Sequence, residues 1–328
     1  MSTKALERHL APLAAFLEED GVTEICINQP YICFVEKRSV FVSHKIEELS
    51  YPFLESLAGL IAEFNDQDFP SPLIAGSLPT GERIQFVMRP ACEAKKIICS
   101  IRRQQMRDMT LEQYEERGAF IGFFNNQADV ASVNHELRAL HNKNHILDFV
   151  KQAIKHKKNI LICGGTGTGK TTFLNACLKC IPNTERIITV EDTREVIVEQ
   201  PNVAHLLFNE NDERITALNI FKACLRLRPD RILLSELRGA EVWPYLRAAN
   251  SGHPGSLSTI HADTPEGAFQ QLVFMMQQAG STSNETQIRN YIQSIIHVVI
   301  QLKRDHDPGR FMNVSEVWFQ ENTQQKSG

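Results

Sequence analysis

Residues 164–172 read Gly-Gly-Thr-Gly-Thr-Gly-Lys-Thr-Thr. In the spacing Gly164-x-x-x-x-Gly169-Lys170-Thr171 these residue types can bind phosphate. Gly164, Gly165, Gly167 and Gly169, with Thr166 and Thr168 between them, let the chain curl so that successive backbone N–H groups point at one anion. A lysine at 170 reaches the β- and γ-phosphates of a nucleoside triphosphate, and the hydroxyl of Thr171, followed by Thr172, can ligate Mg²⁺. The chemistry these residues suit is phosphoryl transfer, in which a protein positions groups and neutralises charge.

Such a loop needs a strand before it and a helix after it. The apolar run Ile160-Leu161-Ile162-Cys163 reads as a buried parallel strand, and the pattern after Lys170 as a helix whose positive end faces the anion. In an open α/β sheet, ligands lie at the carboxyl ends of strands, so polar residues placed where apolar runs stop are the ones to follow. Glu191 and Asp192 end RIITV, Glu236 ends RILLS and His261 ends GSLSTI. Carboxylates there can hold Mg²⁺ and its waters and orient an attacking water.

The remaining chain supplies the scaffold. Residues 1–110 read as a small mixed α/β domain. Leu6, Leu10, Leu13 and Leu17 share one helical face broken at Pro12, which suits packing on the domain's own core; two alternating segments fold over near Lys37-Arg38 as a hairpin; Ser50 caps a helix with Pro52 in its first turn; and two extended runs meet at Pro79-Thr80-Gly81. Arg83 and Arg102 fall on neighbouring strands of this domain. Periodicity fades over residues 111–143, the expected linker. Asn144 is expected to cap the first helix of a second domain, residues 144–328, in which strands and helices alternate as in a parallel sheet flanked by helices. Within it, EVIVEQPNVAHLLFN reads as hairpin-like.

Composition narrows the class. A chain of 328 residues fits two domains, and its net charge of −4 gives no footprint for nucleic acid, so direct nucleic-acid binding is not favoured. Eight cysteines, mostly inside apolar runs, suit reduced buried thiols, and Cys177 and Cys180 lack the second pair that a zinc site needs. No apolar run is long enough to span a bilayer.

Four segments carry a resemblance: GGTGTGKTT, ITVEDTREV, LRLRPDRILLSELRGAE and SGHPGSLSTIHADTPEGA look like the phosphate loop, acidic box, Walker B element and histidine box of the bacterial secretion-ATPase superfamily. More narrowly the chain resembles the hexameric type IV secretion traffic ATPases, and GVTEICIN, LPTGERIQFV and ICSIRR extend the likeness into the first domain. The resemblance implies a RecA-like P-loop NTPase domain behind the small one, ATP and Mg²⁺ as substrate and cofactor, and a homohexamer. Other secretion ATPases, a coupling protein and inner-membrane components would be partners, with a cytoplasmic, peripheral location at the inner face of the inner membrane. It implies that Lys170 and Thr171 bind phosphate and Mg²⁺, that Glu236 orients water, that Glu191, Asp192 and Glu195 support the metal and its waters, and that His261 senses the γ-phosphate. Arg83 and Arg102 would reach the nucleotide from the first domain, with Arg228 a further candidate. Ser235 stands where the family has glycine. Two alternatives stay open: a pilus or type II secretion motor, against which stand the absent four-cysteine insertion and the basic LRLRPD, and a nucleotide-switched scaffold with little turnover.

Overall fold

The structure, a computed structural model, describes residues 3–103, 110–121, 123–305 and 312–320. It opens with α1 (Thr3–Leu10), a 3₁₀ turn at Ala11–Leu13 and α2 (Ala14–Glu18), a helix interrupted where Pro12 removes a donor. Leu6, Leu10 and Leu13 are buried in the core of the first domain, so the apolar face is spent there.

The first sheet contains β1 (Val22–Gln29), β2 (Ile32–Lys37), β3 (Val40–Lys45), β4 (Leu73–Ser77), β5 (Arg83–Val87) and β6 (Ile98–Arg102), in the order β3-β2-β1-β6-β5-β4. Every pairing is antiparallel. Arg38 and Ser39, both at positive φ, make the two-residue turn between β2 and β3. One face is covered by α3 (Tyr51–Phe64), whose cap Ser50 accepts from the N–H of Phe53 and whose Leu54, Leu57, Ala58 and Ile61 are buried.

The expected linker is largely helical. α4 (Leu111–Glu116) is closed by a Thr110/Gln113 capping box, and α5 (Phe123–Asn142) packs Val133, Leu137 and Leu140 on the core of the second domain. Among the described residues of α5 this sparse i, i+4, i+7 stripe is its apolar contribution there, which is why its polar surroundings read as a connection. Asn144 does not cap the next helix. At φ 58 it closes α5 instead, the N–H of His145 returning to the carbonyl of Leu140 at 3.0 Å. His145 stands at the cap position of α6 (Ile146–Lys155).

The second domain follows as β7 (Ile160–Gly164), α7 (Lys170–Leu178), β8 (Ile187–Glu191), β9 (Val203–Leu207), α8 (Ala217–Cys224), β10 (Arg231–Leu234), α9 (Val242–Ala249), β11 (Leu257–Ile260), α10 (Pro265–Gln278), α11 (Glu285–Ile295), β12 (Val298–Arg304) and β13 (Met312–Phe319). Its strand order is β13-β12-β7-β11-β10-β8-β9, parallel except for β13. The expected hairpin over 195–209 is one strand, β9, parallel to β8. Residues 193–201 cannot pair as a strand because side chains take their backbone donors: Glu191 Oε2 accepts from the N–H groups of Glu195 and Val196, both at 2.8 Å, and Asn175 Oδ1 from that of Ile197 at 3.0 Å.

The two domains meet through an apolar seam, Val87, Ala91, Cys92 and Ile98 of the first lying in one core with Ile188, Leu206 and Phe221 of the second, and through polar groups. Asn28 bonds Asn202 at 2.9 Å and Arg186 at 2.8 Å, and Arg228 pairs with both Glu36 and Asp230 while lying over the Phe41 ring. Arg228 is thus committed to the domain interface. All eight cysteines are free and seven are buried; desolvation pushes the Cys163 and Cys177 thiols up to about 12, which keeps them neutral.

Candidate functional site

The strand order sets the order of the site. β7, β11, β10 and β8 are neighbours, so the phosphate loop, His261, Glu236 and the Glu191-Asp192 pair come side by side along one edge of the sheet. Distances follow that order. Lys170 Nζ lies 3.2 Å from His261 Nδ1, His261 Nε2 lies 2.8 Å from Glu236 Oε1, and Lys170 Nζ is 3.9 Å from the same oxygen. With the carboxylate as acceptor, Nε2 carries the imidazole proton and Nδ1 accepts from the ammonium group.

Loop geometry explains the glycines at two positions. A Cβ on Gly164 would come within 2.5 Å of Thr168 Oγ1 and 2.9 Å of the Leu302 carbonyl; Gly169 stands at φ +78, where it opens α7. Lys170 donates to the carbonyls of Gly164 at 3.0 Å and Gly165 at 3.3 Å, so the loop is closed on its own lysine. Burial lowers the Lys170 pKa and the nearby Glu236 carboxylate opposes that shift. Thr168 braces the loop by donating to the Gly165 carbonyl at 2.9 Å, whereas Thr166 and Thr172 are exposed at its mouth.

The acidic residues divide by environment. Glu191 is fully buried and saturated: Oε1 accepts from Thr189 at 2.8 Å and from Arg194, and Oε2 from two backbone N–H groups. It is a brace for residues 192–196, and it lacks the free lone pairs that a role on Mg²⁺ would need. Asp192 accepts from Arg238 at 2.7 Å, and Glu195 Oε2 lies 3.5 Å from Thr171 Oγ1. Ser235 fits without strain: its φ is not positive, its N–H and carbonyl are bonded to Val190 and Thr259, and it is 6% exposed.

Among the described residues no three His, Cys, Asp or Glu side chains converge as a metal cage. That fits Mg²⁺, which an NTP site holds mainly through phosphate oxygens, one hydroxyl and waters. Thr171, with the Glu195 and Glu236 carboxylates near the start of α7, provides hard oxygens of that kind.

Arg83 and Arg102 are cross-strand partners on β5 and β6, and Arg102 lies 3.9 Å from Glu24, a carboxyl that burial raises to about 7. Among the described residues neither arginine bonds the phosphate loop of its own chain. Two residues escaped the sequence reading. Arg304, at the end of β12, donates to the Gly167 carbonyl at 3.2 Å, and the Met312 methyl stands 2.7 Å from where a Cβ on Gly169 would be.

A mostly parallel sheet with a phosphate loop after one strand and a lysine–histidine–glutamate row along the next two strand ends defines a P-loop nucleoside triphosphatase. The profile of the family "Type II/IV secretion system protein" matches residues 95–326. The type IV secretion system protein VirB11 of Brucella suis is 35% identical over 325 residues, covering 96% of this chain and 90% of that protein. PtlH of Bordetella pertussis is 32% identical over 335 residues, covering 97% and 96%. The crystal structure of the Brucella suis VirB11 ATPase in complex with sulphate superposes with a TM-score of 0.89 at 34% identity, over 97% of this chain and 95% of that one. The chain belongs to the type II/IV secretion system family, among its type IV traffic ATPases.

Proposed function

We propose that this ATPase works as a closed homohexameric ring, peripheral at the cytoplasmic face of the inner membrane, where ATP hydrolysis drives a type IV secretion system. Other secretion ATPases, a coupling protein and inner-membrane components are its partners in that role. The observation that carries the catalytic reading is the unbroken row Lys170–His261–Glu236, with contacts of 3.2 and 2.8 Å.

Bound triphosphate takes the place that the Gly164 and Gly165 carbonyls hold on Lys170. Thr171 would hold Mg²⁺, with water-mediated help from Glu195, Asp192 and Glu236, and the bound ion would supply charge neutralisation at the phosphate oxygens. Glu236 orients the attacking water, and His261, between that carboxylate and Lys170, registers whether a γ-phosphate is present. Because neither Arg83 nor Arg102 bonds the phosphate loop of its own chain among the described residues, we assign them to the nucleotide of a neighbouring protomer. Hydrolysis then releases one protomer's first domain from the next protomer's second domain, and this closure and opening transmits force.

Steady-state hydrolysis by the full chain tests the assignment. Glu236→Gln is expected to keep ATP binding while kcat falls by about 10²- to 10⁴-fold, and Lys170→Ala to lose both. Wild-type turnover in Glu236→Gln would refute the role given to that carboxylate.

A further inference from the structure

Glu236 is largely engaged by protein donors in the state seen here. Its Oε2 accepts from Arg238 Nε and Nη2, both at 2.5 Å, and its Oε1 faces His261 at 2.8 Å. The third nitrogen of the same guanidinium, Nη1, donates to Asp192 Oδ2 at 2.7 Å. Three of the roughly four lone pairs of this carboxylate are thus taken, two of them by one guanidinium, and a carboxylate held in this way is not free to turn toward a water.

The surroundings fix the backbone of Arg238 and leave its side chain more than half exposed. The N–H of Leu237 bonds the Thr259 carbonyl at 2.8 Å, and the N–H groups of Arg238 and Gly239 both go to Glu241 Oε1. The side chains of Arg238 and Glu236 are 57% and 11% exposed. The arginine therefore lies over the mouth and the glutamate beneath it. Beside them opens a cleft of about 590 Å³, where among the described residues Arg238 is the one cation lining the wall against the carboxylates of Asp192, Glu210, Glu236 and Glu241. A rotation about the side-chain bonds of Arg238 would move its guanidinium into that cleft with no change of backbone.

We propose that Arg238 is a latch on Glu236: it occupies the carboxylate while the loop is empty, keeps its hold on Asp192, and releases Glu236 when a nucleoside triphosphate enters. The trigger lies in the same row of contacts. Triphosphate draws Lys170 off His261, and the γ-phosphate offers His261 an anion that competes with Glu236, so that the carboxylate loses one of its partners and can turn from Arg238. Arg238 is thus a positioning residue that works through Glu236. The latch rests on the assignment of Glu236 made above, and its release is a cost charged against nucleotide binding.

A double-mutant cycle reads that cost. Binding of a non-hydrolysable ATP analogue with Mg²⁺ is measured on the full chain for wild type, Arg238→Gln, Glu236→Gln and the double variant, with Arg238→Lys as a milder replacement should Arg238→Gln fold poorly. The expected result is analogue binding about three- to tenfold tighter in Arg238→Gln, the worth of one partly exposed bidentate pair. In the Glu236→Gln background the same change should alter binding by less than about twofold, and Arg238→Lys should fall between. kcat/KM for ATP should rise with the affinity in Arg238→Gln. Weaker or unchanged analogue binding in Arg238→Gln, or an equal gain in both backgrounds, would overturn the latch. A wild type that binds and follows the cycle without hydrolysing ATP would leave the latch standing and defeat the motor reading instead.

Discussion

Arg304 sits over Gly167 at the end of a strand that no motif marks, and its guanidinium is a cation beside a site built for anions. Its charge is uniform toward substrate and transition state, so Arg304→Ala should raise KM for ATP about three- to tenfold with little change in kcat; steady-state kinetics separate the two, and a fall in kcat alone would contradict the reading. Residues of this kind mark the limit of sequence at this scale. The phosphate loop was legible because glycine spacing, lysine and threonine encode one geometry. Glu236 and His261 were legible because they follow apolar runs. Arg238 carried a signal too, two residues beyond Glu236, yet an arginine there reads equally well as solvated. Arg304 becomes visible only when β12 is known to lie beside β7.

Between the residues and the domains stand the elements, and β8 with β9 shows how one can be misread. The segment after Glu191 has strand-like composition, but its backbone donors are claimed by Glu191 and Asn175, and only Val203–Leu207 joins the sheet. Glu191 is itself held by a chain of bonds that starts on β9. Thr189 has one hydroxyl proton and gives it to Glu191, so His205 Nδ1 must donate to Thr189 Oγ1, at 2.8 Å. Burial, reinforced by Arg194, lowers the His205 pKa to about 4. Its folded pKa is below its unfolded value, so its contribution to stability is intact above about pH 6.5 and is lost as pH falls toward 4. Between pH 7 and pH 5 this removes about 2 kcal/mol. Urea denaturation of wild type and His205→Asn at both pH values checks this: the variant keeps an N–H donor and loses the titration, so its pH dependence should be shallower. Equal slopes would show that His205 does not govern acid stability. In α5 the misreading has another cause, since three apolar residues at helical spacing suffice to dock a long polar helix.

At the scale of the whole molecule the two domains were legible from α/β order and composition, while their mutual placement was not. That placement depends on Val87, Ala91, Cys92 and Ile98, buried in the core of the second domain, and on Asn28, Glu36, Arg186 and Arg228, polar residues whose partners lie more than 150 positions away in three of the contacts. It also decides what the first-domain arginines do. Arg102 lies 3.9 Å from Glu24 and, among the described residues, makes no bond to the phosphate loop of its own chain, so the proposed ring completes each nucleotide site with a second protomer.

The most direct test mixes two defective proteins. Lys170→Ala and Arg102→Ala chains are each assembled alone, sized to confirm the ring, assayed for ATP hydrolysis, then mixed, allowed to exchange subunits and assayed again. The account predicts that each ring alone is impaired and that mixing restores part of the wild-type rate, because some interfaces then join an intact phosphate loop to an intact arginine. Activity in the mixture no greater than the sum of the separate rings would place both residues in one protomer's site and contradict it.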